Sequence, residues 1–145
     1  MQIKIDIDTR EKQAWYFPEG LAKTSRVYLP YGDYRLQGDT GFVIERKSLD
    51  DYTASVSTYW RRFERELTGI LGTLGKGIVI VEGTVQEIID HVYNQPQILP
   101  KFVMKRTAQI ILMGIPVVFF DNPITSAGMA WAILRERSQQ IGVQE

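Results

Sequence analysis

The chain has 145 residues, 44% of them hydrophobic, with seventeen basic and seventeen acidic side chains. That length and apolar content can bury a core unaided, so one domain over residues 1–145 is expected. The absence of cysteine excludes structural disulfides, thiolate zinc sites and cysteine nucleophiles, and no apolar run approaches the roughly 20 residues of a membrane span.

The N-terminus alternates Ile3, Ile5 and Ile7 with Lys4, Asp6 and Asp8, the period of a half-buried strand and not the apolar core of a signal peptide. A soluble protein, cytoplasmic or nucleoid-associated (nuclear in a eukaryote), is therefore expected. Residues 26–29 read as a short strand and Pro30-Tyr31-Gly32 as a turn. A hairpin follows, with arms at 33–36 and 42–47 and its turn in Gln37-Gly38-Asp39-Thr40-Gly41. Ser48 can cap a helix starting at Leu49, with Asp50 and Asp51 in its first turn. A charged helix is predicted over 59–74, ended by Gly75 and Gly77, and 78–81 is an apolar run typical of a buried strand. Thr84 and Glu87 have capping-box spacing. Residues 101–113 and 124–140 read as helices around a buried strand at 117–120. The pattern is α/β: a mixed central sheet flanked by helices on both faces.

The chemistry concentrates in three places. In Val43-Ile44-Glu45-Arg46-Lys47, alternation puts Glu45 and Lys47 on one face and Arg46 on the other. A carboxylate and an ammonium so placed suit phosphodiester hydrolysis, the first as a metal ligand, the second as a charge stabiliser. An isolated pair of this kind is more often a surface ion pair. Asp33 stands at the start of the partner arm and can offer the same ion a second oxygen. Asp8, Arg10 and Glu11 crowd the end of the first strand, either as functional groups or as a local salt bridge. Arg46, facing away, is expected to be structural and paired with an acid on another element.

The order Asp8-Thr9-Arg10-Glu11, Gly32-Asp33-Tyr34 and Glu45-Arg46-Lys47-Ser48-Leu49-Asp50-Asp51 resembles the nuclease domain of the XPF family of structure-specific endonucleases. That family is a branch of the PD-(D/E)xK nucleases and has a restriction-endonuclease-like core. The resemblance covers residues 3–82 closely, including Ser55-Val56 with Arg62-Phe63, and the remainder only as a pattern of elements. It implies Mg²⁺ or Mn²⁺ at Asp33 and Glu45, Lys47 as catalytic lysine, and Asp8, Arg10, Glu11, Arg46 and Asp51 in support. It also implies branched DNA as partner, roles in DNA repair or recombination, and pairing as a homodimer or with a partner protein. The helix-hairpin-helix module of many members has no counterpart in these 145 residues.

Other features weigh less. Arg61 and Arg65 share a helix face and, with Arg62 and Arg10, are candidate DNA contacts; a solvated face with internal ion pairs reads equally well. Lys101, Lys105 and Arg106 can extend the same strip. The glycines at 69, 72, 75 and 77 do not match a phosphate-binding loop, because Ile70 and Gly77 occupy positions it reserves for Gly and Ser or Thr. His91 lacks companions for a metal site, and Trp15, Tyr16 and Phe17 suit packing better than base stacking. The balanced charge gives no support to a nucleic-acid partner. The rival to an enzyme is a non-catalytic DNA-binding or scaffold subunit of a nuclease complex.

Overall fold

The computed structural model describes residues 2–142. Six strands, β1 (Ile3–Asp8), β2 (Ala22–Val27), β3 (Tyr34–Leu36), β4 (Val43–Ser48), β5 (Gly77–Glu82) and β6 (Val117–Phe120), form one sheet in the order β2-β1-β3-β4-β5-β6. β1 runs parallel to β2 and antiparallel to β3, β3 is antiparallel to β4, and β4, β5 and β6 are mutually parallel. The sheet is mixed, as the sequence predicts.

Five helices cover it: α1 (Leu49–Val56), α2 (Trp60–Gly69), α3 (Val85–Ile89), α4 (Pro100–Met113) and α5 (Pro123–Gln140). Strand alternation divides the interior into two layers. Val43, Val79 and Val81 point to one face, where they pack with Tyr52, Val56, Phe63, Leu67, Val103 and Ile110 of α1, α2 and α4. Ile3, Ile5, Ile7, Ile44 and Ile80 point to the other, against Ala127, Ala130 and Leu134 of α5 and the buried rings of Trp15 and Phe17. Trp15 stacks on Tyr34 at 4.4 Å, so it and Phe17 are core, whereas Tyr16 is exposed.

The caps form as their residue types require. Ser48 accepts a hydrogen bond from the Asp51 amide, and Thr84 and Glu87 make a reciprocal capping box. Gly75, at φ 92°, ends the helical run. Three expectations need correction. The strand placed at residues 26–29 lies at Ala22–Val27: its Lys23, Thr24, Ser25 and Arg26 are exposed at the sheet's edge, so no apolar alternation marks them. The helix over 59–74 is α only through Gly69 and finishes as one π turn, Ile70–Leu74. β6 is half-exposed at all four positions because it is the other edge of the sheet, not a buried strand.

Candidate active site

The two faces of β4 separate two sets of charged groups. Glu45 and Lys47 point toward α1 and α2, while Arg46 points to the opposite face. There Arg46 Nε donates to Glu82 Oε1 at 2.9 Å, its Nη1 reaches Glu11 Oε2 at 3.2 Å, and the guanidinium lies 4.9 Å from the centre of the Trp15 ring. Arg46 thus pairs with acids from two other segments, as alternation leads one to expect. Tyr34 Oη donates to the same Glu11 oxygen at 2.7 Å and fixes it in place.

Asp33 sits where β1, β3 and β4 meet. Its amide donates to Ile44 O at 2.8 Å, its carbonyl accepts from Asp8 N at 2.9 Å, and its Oδ2 accepts from Arg46 N at 2.7 Å. Gly32 makes that placement possible: at φ +79°, a side chain there would come within 2.2 Å of Val43 Cγ2. Burial, followed by the charges of Glu11 and Glu66, pushes the Asp33 carboxyl up to about 7.

Glu45 is buried and meets three charged groups. Lys47 Nζ lies 3.4 Å from its Oε2, Glu66 of α2 shares the cleft with it, and Glu66 and Asp33 both disfavour its charge. Burial, then that repulsion, raises the Glu45 carboxyl well above its usual range. Burial alone would lower the Lys47 ammonium, but Glu45, Glu66 and Asp33 outweigh it, and the net direction is upward. Its Nζ also lies 5.0 Å from the centre of the Phe63 ring.

Asp8 closes the end of β1. Its carboxylate accepts from Arg10 Nε at 2.7 Å and from the Leu29 amide at 2.9 Å. Burial would raise this carboxyl, yet the bonds from Arg10 and the Leu29 and Arg10 amides together hold it below its ordinary value. Arg10 also donates to Leu29 O at 2.7 Å, leaving much of its side chain exposed at the rim.

A cleft of about 350 Å³ brings together Asp8, Arg10, Glu11, Asp33, Glu45, Arg62 and Glu66. Lys47 joins through its contact with Glu45. Asp51 is exposed on α1 and does not line the cleft; its amide serves the Ser48 cap. Arg61 and Arg65 also lie outside it, in a neighbouring hollow. Among the described residues no three Asp, Glu or His side chains are arranged to enclose a metal ion. Sequence reasoning treated Glu66 as part of a charged helix face and missed it as a site residue. The available signal was its position four residues after Arg62, which puts both on one face of α2.

Residues 7–130 match the ERCC4 domain. The chain belongs to the ERCC4 domain family. Its fold is similar to that of XPF from Aeropyrum pernix, with a TM-score of 0.72 and 21% identity over 98% of this chain. The same protein in complex with DNA superposes at a TM-score of 0.71 and 20% identity over 99% of this chain. This ERCC4 domain spans 62% and 68% of those two chains. A search of curated proteins gives no match. Among the described residues, no helix of the ERCC4 domain is long and apolar enough to cross a membrane.

Proposed function

We propose that this ERCC4 domain is a metal-dependent endonuclease that hydrolyses phosphodiester bonds in DNA, with branched, flap or forked DNA as substrate. The observation that carries this reading is the crowding of Asp33, Glu45 and Glu66 around Lys47 in one cleft. Like-charged carboxyls pushed out of water in this way are costly without a cation to neutralise them. Their hard oxygens suit Mg²⁺ or Mn²⁺ at Asp33 and Glu45, and such ions keep several waters when one or two carboxylates hold them.

When bound, the ion would polarise the phosphate and lower the pKa of a coordinated water. The protein's own groups do the rest. Lys47, held charged by its acidic neighbours, stabilises negative charge on the phosphate as water attacks. Arg10 and Arg62 at the cleft wall suit the non-bridging and flanking phosphate oxygens. Asp8 keeps Arg10 in position, and Glu11 holds Arg46 behind the site. Asp51 supports the start of α1 from outside the cleft. Arg61 and Arg65 would bind DNA beyond it.

A second copy of the chain or another protein as partner fits the β6 edge, whose four apolar residues are half-exposed, with the exposed Leu112 and Ile124 on the helices α4 and α5 that flank it.

Labelled fork, flap, linear duplex and RNA, incubated with Mg²⁺, Mn²⁺ or chelator, test the reading directly. Metal-dependent cleavage of branched DNA is expected, absent in Asp33→Ala and reduced at least 10²-fold in Lys47→Ala. Equal cleavage by the variants would refute the site assignment. Binding of branched DNA without cleavage would instead make the chain a non-catalytic subunit.

A further inference from the structure

We infer that the DNA strand leaving the cleft is held in a second, basic hollow, where Arg61, Arg65 and Arg106 contact its backbone phosphates. This rests on the nuclease reading for the strand's path but not for the binding itself. The hollow, about 560 Å³, is lined by Ser57, Thr58, Tyr59, Trp60 and four arginines: 61, 62, 65 and 106. Arg62 lines both the hollow and the acidic cleft, so the two are neighbours on either side of one arginine.

Among the described residues no acidic side chain lines the hollow. In a chain whose charges balance overall, four arginines around one space amount to a strong local field. Internal ion pairing on α2 does not account for them. Among the described residues none of the four has a carboxylate within 4.0 Å, although Glu64 and Glu66 share the helix. Glu66 turns to Glu45 instead.

Arg106 comes from a different element, α4, and is held rigidly. Its Nε donates to Val56 O at 3.1 Å, its Nη1 to Gln109 Oε1 at 2.9 Å, and the guanidinium lies 4.5 Å and 5.0 Å from the Trp60 and Phe102 ring centres. A guanidinium fixed in this way loses little freedom on meeting a phosphate. On the same helix Lys101 and Lys105 are exposed and line the adjoining groove, continuing the cationic path.

Two variants test the inference: Arg61→Gln combined with Arg65→Gln, and Arg106→Gln. Binding of labelled fork DNA is measured in EDTA across a salt series, and melting confirms that each variant is folded. Each lost phosphate contact should flatten the plot of log affinity against log salt by about 0.9 on duplex or about 0.7 on a single strand. The double variant should therefore lose roughly 1.4–1.8 of slope and bind about tenfold more weakly at low salt. Arg106→Gln should lose about half that slope. Lys23→Gln, on the exposed edge strand β2, should match wild type. Unchanged slopes in folded variants would overturn the inference, as would wild-type protein that does not bind DNA at all. Wild-type protein that binds through these arginines yet never cleaves would sink the nuclease reading and leave this one standing.

Discussion

Asp33 carries two opposing demands. Its backbone joins β1 to β4 through bonds of 2.9 and 2.8 Å, while its carboxyl is buried beside Glu11 and Glu66 and raised from 3.8 to about 7. Between those two values the native state holds a proton that the unfolded state has released, so its contribution to stability is lost as pH rises through that window. Asp33→Asn removes the ionisation and can keep the Arg46 amide bond through its carbonyl oxygen. In EDTA at pH 8 this variant should melt higher than wild type by roughly 2–4 °C, about 1 kcal/mol, and the gain should shrink as pH falls and vanish below about pH 4. Mg²⁺ should then raise the melting temperature of wild type only. A variant that melts lower at pH 8 would show that the carboxyl is not under electrostatic strain. At this scale the placement of the β4 side chains was legible, because the face of each follows from alternation alone. Arg46 turning away to acids on other segments is the clearest case. Glu66 was not legible as a site residue because its partner, Glu45, is distant in sequence and the pairing exists only once α2 packs on the sheet.

At the scale of elements, the β3–β4 hairpin and α5 are tied by one charged contact that the sequence does not announce. Arg137 Nε and Nη2 reach the two Asp39 oxygens at 2.9 and 3.0 Å, and the Gly41 amide adds a third bond at 2.8 Å. Burial would raise Asp39, but Arg137 and the Gly41 amide outweigh it and hold the carboxyl below 3.8. The stabilisation is therefore complete above that ordinary value and fades as pH falls through the lower folded one. Arg137→Ala leaves Asp39 buried without its partner and should cost about 3 kcal/mol at pH 7. Chemical denaturation at pH 7 and pH 3 checks this: the gap to wild type should narrow in acid, and equal stability at pH 7 would remove the tie from the account. Elements with strong periodicity or caps, such as β1, β4, α1 and α3, are readable in sequence because local physics specifies them. β2 is not, since its polar residues are held by backbone pairing to β1 and by Arg26 donating to the Asp8 and Glu11 carbonyls, none of which leaves an apolar pattern. The β3–β4 turn is readable, but its anchor on α5 is 98 residues away.

Across the whole molecule, charge and apolar surface are unevenly spread although the totals balance. Acids gather in the cleft and arginines in the hollow beside it, so net charge is a poor guide to whether this chain meets DNA. The apolar surplus lies elsewhere. β6 presents an unpaired strand edge with half-exposed Val117, Val118, Phe119 and Phe120, a liability that a stable protein covers or pairs. Leu112 of α4 is 87% exposed and Ile124 of α5 is 85% exposed, so neither contributes burial to the monomer. Leu112→Glu and Ile124→Glu should leave the monomer's unfolding free energy within about 0.5 kcal/mol of wild type, as surface substitutions usually do. If this face pairs two copies, each glutamate must lose its water at the interface, and association should weaken by at least tenfold. Sedimentation should then show wild type at twice the chain mass of 16.6 kDa and the variants at that mass. Wild type should also melt at a temperature that rises with its concentration, as mass action requires of a dimer. A wild-type monomer at tens of micromolar would shift the edge to a different protein. Unaltered dimers in both variants would place the contact on another surface.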